Sequence, residues 1–415
     1  MSRSFLGIDF GTSGARAAVI DAAGQLQATA RASLPEQSAM AWQRALEELI
    51  EQIPLSLRQQ LGAIAVDGTS STVLLCDATG KPLAPPLLYS DSRGAAVLDQ
   101  VQAIAPDRHT VVSATSSLAK LFWWQQQGLA GYLFHQADWL GWLLHGQLGI
   151  HGGISDYHNA LKLGYDVEQL QYPDWLLALK LPFELPEVRA PGSPVAPLRP
   201  ELAGRWQIPS DCQISAGTTD SIAAFLASGV TQPGEAVTSL GSTLVLKLLS
   251  QQRLEDSHYG IYSHRLGDLW LVGGASNTGG AVLRQFFSDA ELQDLSQQIQ
   301  PEAPSPLDYY PLLQPGERFP INVPNLTPRL TPRPEQPAEF LHGLLESMAR
   351  IEAQGYRLLQ DLGATPLSQV YSAGGGAQNT AWTSIRARCL AVPVQPSAHE
   401  AAYGTALLAR QGGLE

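Results

Sequence analysis

Four short segments of the sequence bring glycine and hydroxyl residues to places where phosphate oxygens could be held, and two of them carry an aspartate. In IDFGTSGARAAVI an apolar run ends at Asp9 and gives way to Gly11, Thr12, Ser13 and Gly14. A turn of that composition lets backbone N–H groups and hydroxyls cup phosphate oxygens, because glycine permits close approach. Asp9, at the strand end beside the cup, cannot bind phosphate directly. Its sensible partners are a Mg2+ carried by a nucleotide or a substrate hydroxyl. The same residues also suit a plain hairpin with a solvated aspartate, since short glycine patterns recur by chance.

The segment SLGSTLVL offers Gly241, Ser242 and Thr243 for further phosphate oxygens, or for an ordinary hairpin turn. In VYSAGGGAQNTAW three glycines end a strand and precede a helix. Gly375, Gly376 and Asn379 would leave N–H groups and room for a flat ring such as adenosine; the alternative is a tight strand-to-helix turn. In SAGTTDSIAAFLASG, Asp220 follows a Gly-Thr-Thr turn and leads into a small, apolar helix. A lone aspartate there serves as an N-cap, or as the carboxylate that accepts the proton of an attacking hydroxyl. The four segments occurring together favour the chemical readings over independent coincidences.

The elements needed to position them are legible. Residues Phe5 to Ile8, Ala15 to Ile20 and Leu26 to Ala30 read as an antiparallel meander with turns at 11–14 and 21–24. The shape returns as strands Ala236 to Leu240 and Leu244 to Leu249, a weak internal repeat that predicts a related α/β unit in each half. Ala63 to Asp67 is a buried-strand candidate ending in DGTSSTVLL, and Ser117 to Gln127 opens a Trp-rich helix. Residues 186–209 are proline-dense and read as a surface connection, and the eleven prolines of 301–337 exclude regular helix there. Phe340, Leu341, Leu344, Leu345, Met348 and Ile351 mark one amphipathic helix. Val370 to Ala373 is a strand, with a helix from Asn379 onward.

A chain of 415 residues predicts two domains, and 44% hydrophobic content supplies their cores. The net charge of -12 argues against nucleic acid and anionic membrane as partners. No apolar run approaches a membrane span, and MSRSFLGIDF breaks at Asp9 before a signal-peptide core could form, so a cytoplasmic location, or the equivalent plastid stroma, is expected. Cys76, Cys212 and Cys389 fit neither a disulfide framework nor a zinc site.

In this order the motifs resemble the FGGY carbohydrate kinases. GIDFGTSGARA, VDGTSSTVLL, LLYSDSRG, SSLAKLFWWQQQ, LPEVRAPGSPV, AGTTDSIAAFLASG, SLGSTLVL, GGASNTGGAVLRQF, PLLQPGERFP and SAGGGAQNTAWTSIRA follow collinearly over nearly the whole chain. The resemblance implies an α/β, two-domain actin/hexokinase-like (ribonuclease H-like) fold with a cleft between domains. It implies a sugar-binding domain at 1–228, with a C-terminal helix at 399–415 packing back on it, and a nucleotide-binding domain at 229–398. It assigns Asp220 as general base, Asp9 to metal and sugar, Gly11, Thr12 and Ser13 to the first phosphate loop, and Gly241, Ser242 and Thr243 to the second. Gly375, Gly376 and Asn379 fall on the adenosine motif with Trp382 as a wall beside the base. Ser70 and Ser71 fall on the sugar-contact loop, and Lys120 with Trp123 on the Lys-x-x-Trp signature. ATP and Mg2+ are implied, with a monomer or homodimer acting on a small sugar. Where xylulose kinases carry Gly-Gln-Met-His-Gly this chain has Gly68-Thr69-Ser70-Ser71-Thr72. That loop is more similar to D-ribulose kinases and the short xylulose-kinase-like proteins of cyanobacteria and plants. D-ribulose is therefore the expected substrate, with D-xylulose or a polyol as alternative, and a sugar-responsive nucleotide-binding protein or weak ATPase as the alternative of another class.

Overall fold

The first apolar run is strand β1, Ser4–Phe10, buried along its whole length in the computed structural model, which describes residues 3–107, 109–149 and 152–414. It pairs antiparallel with β2, Gly14–Asp21, and β2 with β3, Leu26–Ser33, completing the expected meander. On its other edge β1 takes β4, Leu61–Gly68, in parallel. Strand Gln213–Thr219 lies parallel to β4, and Pro194–Pro197 closes that margin antiparallel.

Side chains alternate across this sheet. Leu6, Ile8, Phe10, Ile64 and Val66 form one core with Trp42, Leu46 and Leu49 of helix Ala39–Gln52 and Trp139 and Leu140 of helix Gln136–His145. Phe5, Ala63 and Ala65 face the other way, against Ala406 and Ala409 of helix Ala401–Leu414. Small residues let that helix lie almost on the strands: a Cβ on Gly7 would fall 2.1 Å from the Ala406 nitrogen. A Cβ on Gly404 would fall 1.9 Å from the Ala223 oxygen in helix Asp220–Ala227. One unit of the chain thus runs to Ala227 and resumes at His399.

The other unit, Ser228–Ala398, repeats the strand scheme. Glu235–Leu240, Leu244–Ser250 and Leu269–Ser276 are antiparallel neighbours. Gln369–Ala373 lies parallel on the free side of the first, with Val394–Pro396 parallel beyond it and Tyr262–Leu266 on the opposite margin. Helix Pro337–Asp361 lays Phe340, Leu344, Met348 and Tyr356 on this sheet.

Three local expectations are corrected. The proline-dense stretch 186–209 is not a mere connection: it holds the edge strand Pro194–Pro197, where a missing N–H costs no ladder bond, and a helix with Pro200 at its start and Trp206 in the core. Helix Pro337–Asp361 begins on the last of the eleven prolines, a first-turn position whose N–H would be unused anyway. Asn379 is the N-cap of helix Thr380–Leu390 rather than its first residue. Cys76 and Cys212 are buried free thiols, each pushed up to about 12 by burial, as inert apolar residues should be.

The contact at Gly7 leaves no room for a methyl group. Gly7→Ala is expected to lower stability by roughly 2 kcal/mol or more, as overpacking does, read as a drop in the urea midpoint. Gly204→Ala, with nothing within 4 Å of the added carbon, should leave the midpoint unchanged or raise it.

Candidate active site

In the first unit the expected residues gather at the carboxyl ends of the parallel strands. The register sets Asp9 of β1 opposite Asp67 of β4, and Asp67 opposite Thr218, two residues before Asp220. Ser70 and Ser71 follow β4, and Gly11, Thr12 and Ser13 follow β1. Open sheets present ligand sites at such strand ends.

Asp67 was not singled out from the sequence, yet it is fully buried, and Asp9 is 3% exposed. Burial raises both carboxyls, Asp67 well above the ordinary range, and the charge of each neighbour adds to the shift of Asp67. Two carboxyls side by side in so dry a place are stable when they share one proton. Asp67 Oδ2 accepts from the Thr405 hydroxyl of the C-terminal helix, while its Oδ1 has no hydrogen-bond partner among the described residues.

Register also aligns charges across the meander, with Asp9 opposite Arg16 and Arg16 opposite Arg31. Like charges directly opposite destabilise a sheet. Glu400 removes the conflict: it takes both Arg31 Nη2 bonds at 2.8 and 2.9 Å and lies 3.5 Å from Arg16 Nε, whose Nη1 reaches Asp9 at 3.4 Å. Arg16 and Glu400 were also missed, since nothing in their local sequence signals a partner so far along the chain.

The first turn is held from outside. Gly11 N–H donates to the Gly14 carbonyl at 3.1 Å, and Gln37 donates to the Thr12 carbonyl at 2.6 Å, leaving the Thr12 and Ser13 side chains exposed. The loop after β4 is held from inside. Gln136 Oε1 accepts from Thr69 N–H and hydroxyl at 3.0 and 2.9 Å. Lys120, with no exposed surface, donates to the carbonyls of Ser71 at 2.7 Å and Leu88 at 2.6 Å, and burial pushes its amine down to about 7. These bonds hold Ser71 at φ +63, an unusual conformation for a non-glycine residue, with its buried hydroxyl unpartnered among the described residues. Trp123, the other signature residue, carries the Arg93 guanidinium 4.7 Å above its ring. Asp220 opens its helix half-buried, its Oδ1 accepting from Ser221 N–H at 2.6 Å, while the preceding Thr218 hydroxyl meets His158 Nδ1 at 2.8 Å.

In the second unit a cavity of about 630 Å3 is lined by Gly375, Gly376, Asn379 and Trp382 on one side and by Gly280, Leu283 and Arg284 on another. The Gly241–Thr243 turn adjoins it: Gly280 and Ala281 N–H groups donate to the Gly241 and Ser242 carbonyls at 2.8 and 3.1 Å. Gly376 has to be glycine, since a Cβ would lie 2.6 Å from the Trp382 ring. Trp382 is 2% exposed, so it supports Gly376 rather than presenting an open face. Asn379 spends its amide on structure, Oδ1 accepting from Trp382 N–H at 2.9 Å and Nδ2 donating to Ser296 at 2.8 Å.

Beneath the cavity a buried ion pair ties four elements together. Arg386 Nε and Nη2 bond Glu352 at 2.6 and 2.7 Å, and Arg386 Nη1 bonds Ser372 at 2.6 Å. Thr238 of the first strand bonds both Glu352 and Tyr356. Glu346 is a second such pin, joined to Arg388 at 2.5 Å.

Residues 4–227 match the N-terminal domain, and residues 236–411 the C-terminal domain, of the FGGY family of carbohydrate kinases, and the chain belongs to that family. It is thus a sugar kinase, a phosphotransferase. It is 25% identical over 418 positions to the xylulose kinase of Escherichia coli (strain K12), covering 92% of this chain and 84% of that one. The solved xylulose kinase of Brucella ovis superposes with a TM-score of 0.86 at 23% identity, over 99% of this chain and 91% of that one. A gluconate kinase of Lactobacillus acidophilus gives 0.83 at 18%, over 100% and 90%. The fold is the two-domain actin/hexokinase-like one. Among the described residues no helix is long and apolar enough to cross a membrane.

Two outcomes follow from the buried charges. A carboxyl raised by folding binds its proton more tightly folded than unfolded, so its contribution is present at low pH and lost as pH rises above the ordinary value of 3.8. Asp67→Asn, which presents an N–H in place of the shared proton, should match the wild-type melting temperature at about pH 4 and exceed it at about pH 8. For the second unit, Arg386→Met should cost roughly 3–5 kcal/mol by stranding Glu352, and a further Glu352→Leu exchange should recover most of it; urea unfolding of both variants measures the difference.

Proposed function

We propose that the chain transfers the γ-phosphate of ATP to the terminal hydroxyl of a ketopentose, D-ribulose, giving D-ribulose 5-phosphate. The observation that carries this reading is the placement of Asp220 at a strand end one strand from Asp67 and two from Asp9, within a sugar kinase. On this reading the first unit binds the sugar and the second the nucleotide. Asp220 takes the proton of the hydroxyl as its oxygen attacks the γ-phosphorus, and ADP leaves. Ser70 and Ser71 meet sugar hydroxyls, and the unpartnered Ser71 Oγ is a donor and acceptor for one of them. Gly11, Thr12 and Ser13, with Gly241, Ser242 and Thr243, hold phosphates; Gly375 and Gly376 wall the adenosine, with Asn379 and Trp382 supporting that wall from behind.

Mg2+ suits the residues present. It is usually held by one or two carboxylates together with substrate phosphates and water rather than by a protein cage. Asp9, one carboxylate at a strand end followed by the exposed Thr12 and Ser13, fits that manner of binding. Asp9 would hold the ion, which when bound supplies charge neutralisation at the phosphates.

The small hydroxyl loop at 68–72 supports D-ribulose; the likeness to the Escherichia coli xylulose kinase supports D-xylulose as a second reading. ADP release measured with D-ribulose, D-xylulose, hexuloses and polyols should be greatest with D-ribulose. Release that ignores every sugar would instead indicate a bare ATPase. Asp220→Ala should lower turnover by roughly 10²- to 10⁴-fold with ATP binding retained; near-normal turnover would remove Asp220 from the mechanism.

A further inference from the structure

The cavity of the second unit has neutral walls apart from two charges. Of its lining residues only Asp289 is acidic and only Arg284 is cationic. A nucleotide brings several negative charges into a chain whose own net charge is -12. N–H groups and hydroxyls of the Gly241–Thr243 turn offer partial charges only, so a full positive charge nearby would contribute strongly to holding phosphate.

Arg284 is placed for that purpose. It belongs to helix Gly280–Phe286, on which Val282 and Leu283 are buried while Arg284 is exposed. Its guanidinium curls back toward the start of its own helix: a carbon added to Gly280 would lie 3.8 Å from Arg284 Nη1, and Arg284 Nη2 donates to Ser242 Oγ at 3.3 Å. The charge therefore stands over the phosphate turn at the edge of the cavity. Five other arginines of this unit are committed to carboxylates, Arg386 to Glu352, Arg388 and Arg350 to Glu346, Arg329 to Asp308 and Arg253 to Glu255. Among the described residues Arg284 makes one long bond to a neutral hydroxyl, leaving most of its five donors for a ligand.

We propose that Arg284 grips the phosphate chain of the nucleotide and makes this cavity select nucleotides over nucleosides. The inference rests on the nucleotide reading of the second unit given above. Ser242 acts as the hydroxyl that keeps the guanidinium over the turn until phosphate oxygens replace it. Lysine at the same place would keep the charge and lose the two-point grip.

Calorimetric titration of the full chain with ATP, ADP and adenosine tests this, using the wild type, Arg284→Gln and Arg284→Lys. Arg284→Gln should weaken ATP and ADP between about 10- and 100-fold, the range of one or two charge-assisted hydrogen bonds, leave adenosine unchanged, and flatten the salt dependence of ATP binding. Arg284→Lys should fall between the two. If Arg284→Gln binds ATP as tightly as the wild type, or loses adenosine in step with ATP, the proposal is overturned while the nucleotide reading stands. A wild type that binds neither ATP nor adenosine overturns both.

Discussion

The first unit depends on one constraint: strand register brings two aspartates together where water does not reach. Asp9 and Asp67 face each other across parallel strands beneath the C-terminal helix. Gly7, Ala63 and Ala65 keep that face shallow, so the helix lies close enough for Thr405 to reach Asp67. The same closeness excludes solvent, and exclusion of solvent is what raises the carboxyls. Packing and electrostatics are therefore one feature, and a change to either acts on the other. The row Asp9, Arg16, Glu400 and Arg31 extends it across the meander to the segment where the chain re-enters this unit.

Two units built on one strand scheme present different chemistry at corresponding ends. In the first the strand ends carry Asp9, Asp67 and Asp220, a negative setting suited to accepting protons and engaging cations. In the second they carry Gly241–Thr243, Gly374–Gly376 and, close by, Arg284, a setting of N–H groups and one cation. Duplication of a fold thus fixes where ligands can go but not which sign of charge they meet. A handful of residues at the turns decides that, outside the two cores.

The hairpins were legible because alternation and Gly-Thr-Ser turns are local signals, and so was the helix carrying Phe340 to Ile351. What escaped was set by contacts distant in sequence. Asp67 ended a strand that was recognised, but its importance comes from pairing with Asp9, which no local pattern reveals. Thr405 and Glu400 lie more than three hundred residues from the groups they touch. The stretch 186–209 misled because proline density marks loops on average, whereas an edge strand and a helix start each tolerate proline. Asn379 was placed in the right turn, but the demand of a helix start for a cap takes its amide out of free use.

On the proposed reading the sugar meets the loop that follows β4, and the shape of that loop has a visible cause. Ser71 occupies a strained conformation that its own sequence does not favour. Lys120 and Gln136, from two different helices, hold the loop there, Lys120 through the Ser71 carbonyl and Gln136 through the Thr69 N–H and hydroxyl. At Ser71 the grip is on the carbonyl, so that side chain can change without losing the contact. The fold is shared with a xylulose kinase and with a gluconate kinase, so likeness over the whole chain defines a sugar kinase more sharply than it defines the sugar.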